Sequence, residues 1–323
     1  MRYLITGGAG FIGGHLCEFL IGEGHSVTVI DNLSTGSLDN IKSLKKNPSF
    51  DFVEADILDY PGLDKLVSGC DMVFHLAAAV GVELVVHDPV RTIITNVHGT
   101  ERILEAVSKS RTKILVTSTS EVYGKSPKTH FSEQDDLLIG APTNSRWSYA
   151  CSKLLDEFLM MAFHRASGLP AIVVRLFNTV GPRQTGRYGM VLPRFIASAL
   201  KGEEINVYGT GEQTRCFCHV ADVMRAFKSL SGCEKATGGI FNIGSTHSIS
   251  MNALAELVIK RLGSSSAIIH IPYEKAYEKG FEDMMHRIPD TNKIHELTEW
   301  KPEHPIEKII DDTADYVRTV IKK

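Results

Sequence analysis

The chain has 323 residues, 43% of them hydrophobic and 23% charged, with a formal net charge of -3. This balance excludes a disordered chain, and because Lys and Arg are spread without a basic block, no nucleic-acid partner is expected. No apolar run approaches membrane-spanning length, and the cysteines at 17, 70, 151, 216, 218 and 233 lack the spacing of a disulfide framework or metal site, so a reduced, cytoplasmic chain without a membrane partner is expected.

The first apolar run, Tyr3-Leu4-Ile5, reads as a buried strand, and it begins so early that no leader peptide is expected. His15 to Ile21 repeats its apolar residues at helical spacing. Between strand and helix lies Thr6-Gly7-Gly8-Ala9-Gly10-Phe11-Ile12-Gly13. Gly7, Gly10 and Gly13 allow a tight turn and close approach of backbone amides to a pyrophosphate, while Phe11 and Ile12 open a helix whose positive end faces the phosphates. The next strand, Ser26 to Ile30, ends at Asp31, eighteen residues after Gly13 (31 minus 13). A carboxylate there accepts hydrogen bonds from ribose hydroxyls and repels a 2′-phosphate, which points to NAD rather than NADP.

The polar turn Asn32-Leu33-Ser34-Thr35-Gly36 stands where the adenosine would be wrapped. A third strand, Phe50 to Ala55, runs into Asp56-Ile57, and a fourth, Met72 to Leu76, into Ala77-Ala78-Ala79, whose small side chains leave room for a ligand. Asn96, counted with the cofactor site, opens a helix to about Ser108, and Lys113 to Ser118 is a fifth strand. Strands alternating with helices imply an α/β fold, a doubly wound parallel (Rossmann) sheet with its ligand crevice at the carboxyl ends of the strands.

Thr117-Ser118-Thr119-Ser120-Glu121 projects hydroxyls and a carboxylate at that crevice. Tyr149 and Lys153 are four residues apart, on one face of a helix. The Lys153 ammonium and a bound nicotinamide ring are expected to lower the phenol pKa, so that Tyr149 accepts a hydroxyl proton while hydride leaves the same carbon. The helix continues through Leu154 to Phe163, apolar beyond one stripe. A helix wet on one side needs less, so a second subunit is expected against it, giving a homodimer; burial inside one chain is the alternative.

After a sixth strand, Ala171 to Leu176, the alternation fails. Arg187 to Phe195 and Ile205 to Gly209 look like short elements of a smaller lobe, Thr214 to Val220 a strand with a helix from Ala221, and Phe241 to Gly244 another strand. Ser250 is placed to cap a helix from Asn252 to Leu262, and a last helix spans Ile306 to Ile321. The expected division is a dinucleotide-binding domain over 1–177, with 214–249 returning to it, and a substrate-binding lobe from 178–213 and 250–323. The thirteen histidines form no metal-binding pattern, and no metal is expected.

Taken together, Thr6-Gly7-x-x-Gly10-x-x-Gly13, Asp31-Asn32, Thr119-Ser120-Glu121 and Tyr149-x-x-x-Lys153 resemble the extended short-chain dehydrogenase/reductases that modify nucleotide sugars. The resemblance spans essentially the whole chain, continuing through Arg175 to Asn178, Val207 to Arg215 and Arg287-x-Pro289-Asp290. It implies NAD as cofactor, a nucleotide sugar, preferably a UDP-sugar, as substrate, and Asn178, Val191, Arg215 and Arg287 as substrate-binding residues. Of these, Asn178 and the two arginines would hold the diphosphate. Thr119-Ser120-Glu121-Val122-Tyr123-Gly124 looks like the UDP-glucuronate decarboxylases, which form UDP-xylose through a 4-keto sugar. The resemblance assigns Tyr149 as base at O4, Lys153 as its tuner and ribose anchor, Thr119 as a partner of the sugar, and Ser120 and Glu121 to C5 and C6. A UDP-sugar 4-epimerase and a 4,6-dehydratase are the enzymatic alternatives, and an NAD-binding sensor the non-enzymatic one.

Overall fold

Seven strands, Arg2–Thr6 (β1), Ser26–Asp31 (β2), Phe50–Glu54 (β3), Met72–His75 (β4), Lys113–Thr119 (β5), Ala171–Leu176 (β6) and Ile240–Ile243 (β7), form one sheet in the order β7-β6-β5-β4-β1-β2-β3. Every neighbouring pair is parallel. The computed structural model describes residues 1–80, 88–186, 190–276 and 284–321; Arg187 to Gly189, read above as part of the lobe, lie outside them. The seven longer helices are Phe11–Gly22 (α1), Pro89–Ser110 (α2), Trp147–Ser167 (α3), Val191–Lys201 (α4), Val220–Ser231 (α5), Met251–Leu262 (α6) and Ile306–Ile321 (α7). None of the described helices is long and apolar enough to cross a membrane.

The central strands are covered on both faces, which is why they read as unbroken apolar runs. On one face Leu16 and Leu20 of α1 meet Phe74, Val223 and Phe227, and Ile294 and Trp300 join them. On the other, Ile103 and Val107 of α2 and Met160 of α3 pack on Val73, Val116 and Val173. A separate core holds α4, α6 and α7 together through Phe195, Ile196, Leu254, Val258, Ile309 and Ile310. From β1 the chain winds outward through β2 and β3, then returns to β4 on the other side of β1. That reversal opens a crevice beyond the carboxyl ends of the strands.

Several boundaries differ from the sequence reading, most of them by one or two residues, and three are informative. α2 begins at Pro89 rather than Asn96, because the Asp88 side chain accepts the Arg91 N–H at 3.1 Å and Pro89 fills a first-turn position where no N–H is needed. The stretch 214–220 is split: Thr214–Cys216 pairs antiparallel with Ser248–Ser250, whereas Cys218–His219 pairs parallel with Thr179–Val180. α6 starts at Met251, with the Ser250 hydroxyl accepting the Ala253 N–H at 3.2 Å.

Candidate active site

A cavity of about 750 Å³ runs along the carboxyl ends of the strands and on between the sheet and the α4/α6/α7 core. Its first wall is the glycine turn. Gly7 adopts φ +72°, and a Cβ there would lie 2.7 Å from the Ala77 nitrogen; one at Gly13 would lie 2.3 Å from the Gly7 carbonyl oxygen. Glycine alone permits both approaches. α1 follows with no side-chain cap at Gly10, so its first amides, at Phe11 and Ile12 on the cavity wall, are left for a ligand.

At the end of β2, the Asp31 carboxylate accepts N–H bonds from Ala9 at 2.9 Å and Leu33 at 2.8 Å. Burial nevertheless raises its pKa against those two bonds. Asn32 donates to Asp56 at 2.8 Å and accepts the Ser34 N–H at 3.0 Å. Ser34, Thr35, Gly36 and Ile57 line the same end, with Leu76, Ala77 and Ala78 beside the glycine turn. The uncapped helix end, the glycine cradle and the acid fit a dinucleotide. Asn96, counted with the cofactor site, is buried behind the wall, where its amide accepts the Ala79 N–H at 2.8 Å and donates to Ser152 at 3.1 Å. It supports the wall that a ligand would touch.

Tyr149 and Lys153 both reach the cavity from α3. A buried acid joins them. Lys153 donates to Asp156 at 2.7 Å, with both side chains almost wholly buried. Desolvation and the Glu121 carboxylate push the Tyr149 phenol up, outweighing a hydrogen bond with Thr119, and Asp156 adds to the rise. The ammonium thus has an acidic partner of its own on the same helix.

Beyond β5, the Thr119 hydroxyl accepts the Glu121 N–H at 3.2 Å and opens a single turn that carries Ser120 and Glu121. Arg146 donates to one Glu121 oxygen at 3.1 Å, and Arg287 closes on the other, with Ser120 3.4 Å from the same guanidinium. Burial works against the charged form, but Arg287, Arg146 and, through space, Arg215 overcome it and hold the Glu121 pKa down to about 2. Arg287 therefore stands at the β5 end of the cavity, against Glu121.

Asn178, Val191 and Arg215 line the cavity farther from the glycine turn. Asn178 donates to the Cys216 carbonyl at 3.0 Å, and Arg215 to those of Thr214 and Met284, both at 2.8 Å. Sequence reasoning missed Arg146, although positions 146, 149 and 153 follow the i, i+3, i+7 spacing of one helix face. Tyr208, within the Val207 to Arg215 segment singled out above, carries the Arg194 guanidinium 4.6 Å from its ring centroid, and Tyr316, which sequence reasoning missed, enters from α7.

Residues 4–313 match the family described as GDP-mannose 4,6 dehydratase. The chain is 42% identical to the UDP-N-acetyl-alpha-D-glucosaminuronate decarboxylase of Bacillus cytotoxicus, over 99% of this chain and 98% of that one. It is 37% identical to UDP-glucuronic acid decarboxylase 5 of Arabidopsis thaliana, over 94% and 85%. Among solved structures, the UDP-glucuronic acid 4-epimerase of Bacillus cereus, in complex with UDP-glucuronic acid and NAD, superposes with a TM-score of 0.89 at 28% identity, covering 99% of this chain and 100% of that one. With its sheet, glycine turn and Tyr149/Lys153 pair in place, the chain belongs to the GDP-mannose 4,6 dehydratase family of the extended short-chain dehydrogenase/reductases.

Proposed function

We propose that this chain is an NAD-dependent decarboxylase of a UDP-hexuronate, working through a 4-keto sugar. The observation that carries the reading is the charge around Glu121: three guanidiniums, Arg146, Arg215 and Arg287, act on one carboxylate. Guanidiniums gathered beside Tyr149 suit a second carboxylate, the one a hexuronate brings at C6. A neutral hexose has no group to use them.

NAD would be held by the glycine turn, the α1 amides, Asp31 and the Asn32–Gly36 loop, and when bound it supplies reversible hydride exchange at C4. Tyr149 takes the O4 proton and later returns it, with Thr119 as its hydrogen-bond partner. Once C4 is a ketone, the C6 carboxylate is β to it. Carbon dioxide then leaves with the C5–C6 electrons delocalised onto the ketone oxygen, and C5 is reprotonated. Glu121, fully ionised, supplies no proton of its own. It orients the Arg146 and Arg287 guanidiniums toward the place where the sugar carboxylate would be seated. Ser120 stands with them and acts at C5 and C6 directly or through water.

The 2-acetamido sugar is the favoured substrate, because the relative named for it is 42% identical against 37% for the plant enzyme named for UDP-glucuronate. The exposed apolar side chains Val90 and Ile94 on α2, with Leu155 and Phe158 on the neighbouring α3, support a homodimer. Purified protein given UDP-glucuronate and UDP-N-acetylglucosaminuronate in parallel tests the reading. A nucleotide pentose supports it, with the higher kcat/KM expected for the acetamido sugar. A C4 epimer retaining C6 would make the protein an epimerase, and a 4-keto-6-deoxy sugar from a nucleotide hexose a dehydratase. No turnover with either class would leave the sensor.

A further inference from the structure

Asp156 has no part in the reaction as proposed, yet it lies 2.7 Å from the Lys153 ammonium, with the two side chains 1% and 2% exposed. Burying both charges costs desolvation of each, and an apolar side chain at 156 would spare the fold that cost. Such a side chain would, however, leave Lys153 as an uncompensated buried cation.

The surrounding charges have partners of their own. From β4, His75 bonds Thr6 at 2.7 Å and Thr100 of α2 at 3.2 Å, and burial together with the Lys153 charge lowers its pKa to about 3, so it is neutral. Next along α3, Glu157 is paired with Arg175 of β6 at 2.7 Å and accepts the Ser118 hydroxyl at 2.5 Å. On the cavity side, Glu121 is held by Arg146 and Arg287. The anion in contact with Lys153 is Asp156.

We propose that Asp156 is a positioning residue: it fixes the Lys153 ammonium in the floor of the site and, by offsetting its charge, sets how readily the Tyr149 phenol ionises. The inference rests on Tyr149 being the base of the proposed reaction. Asp156 is among the groups that raise the phenol pKa, so neutralising it must lower that pKa.

Asp156→Asn is nearly isosteric, and its amide oxygen still accepts a bond from Lys153. In the kcat/KM pH profile, activity rises with pH as the phenol ionises. That limb is expected to move down by about one pH unit in Asp156→Asn, an approximately tenfold gain relative to the plateau at the foot of the limb. An unmoved limb would overturn the proposal. Turnover by the parent protein and its loss in Tyr149→Phe report separately on the functional reading.

If the parent is inactive or Asp156→Asn folds poorly, melting of Lys153→Met, Asp156→Asn and the double variant decides whether the pair is coupled. The double variant is expected to melt above Asp156→Asn, because the uncompensated ammonium is gone. Additive losses would overturn the inference.

Discussion

Arg287 and Glu121 stand 166 residues apart in sequence, yet their side chains close on one another beside the carboxyl end of β5. Arg146, one turn of helix before Tyr149, takes the other oxygen of the same carboxylate at 3.1 Å. The last segments of the chain thus complete a site that begins at its first turn. They also determine that Glu121 is an anion wherever the protein is folded near neutral pH.

Glu121→Gln should reveal that ionisation as a stability difference that depends on pH. In the folded protein the carboxyl pKa is lowered to about 2, against about 4.3 in an unfolded chain. The stabilisation is therefore fully present above about pH 4.3 and is lost as pH falls toward 2. By linkage it is on the order of 3 kcal/mol at neutral pH. Thermal melts should show the gap between parent and variant widest above pH 5 and shrinking through this window. A gap independent of pH would show that the pairing does not hold the carboxylate.

Tyr149→Phe removes the proton acceptor and leaves the ring. Turnover should drop by about 10²- to 10⁴-fold or more, while NAD binding, followed by calorimetry, and the melting temperature stay near those of the parent. Activity within a few-fold of the parent would remove Tyr149 from the base role.

Arg146→Met tests whether this guanidinium reads a sugar carboxylate. A charge-assisted hydrogen bond contributes roughly 1.5–3 kcal/mol, so kcat/KM for a UDP-hexuronate should drop by about 10- to 150-fold. Binding of the matching neutral UDP-hexose should change far less. Equal losses for both sugars would place Arg146 in a purely structural role.

Phe158 is 62% exposed on α3, close to Leu155 at 45%. Phe158→Asp puts a charge among these exposed apolar side chains. Light scattering should report a dimer for the parent at micromolar concentration and a monomer for the variant, with the circular dichroism spectrum unchanged. A parent that is monomeric throughout would refute the second-subunit reading.

The sheet was legible because its central strands are covered on both faces and read as apolar runs. The glycine turn was legible because its spacing is a requirement of close packing, shown by the Gly7 and Gly13 Cβ positions that no side chain could take. The smaller lobe was not. Its strands are two to four residues long and pair with distant partners, as Thr214–Cys216 does with Ser248–Ser250, so no local period announces them. The start of α2 was overlooked although both signals stand in the sequence, Asp88-Pro89 for its first turn and Val90, Ile93, Ile94 and Val97 at helical spacing. The Lys153–Asp156 pair was legible as an i, i+3 spacing on one helix, but its almost complete burial was not, because that depends on what the fold packs over it.

The central claim is decarboxylation through an internally recycled cofactor. Carbon dioxide released from C6-labelled UDP-N-acetylglucosaminuronate, with bound NAD far below the sugar in amount, tests it most directly. The account predicts one carbon dioxide for each sugar consumed, a nucleotide pentose as product and no accumulation of NADH. Label retained in a nucleotide sugar altered only at C4, or turnover that stops after one equivalent of NAD, would contradict it.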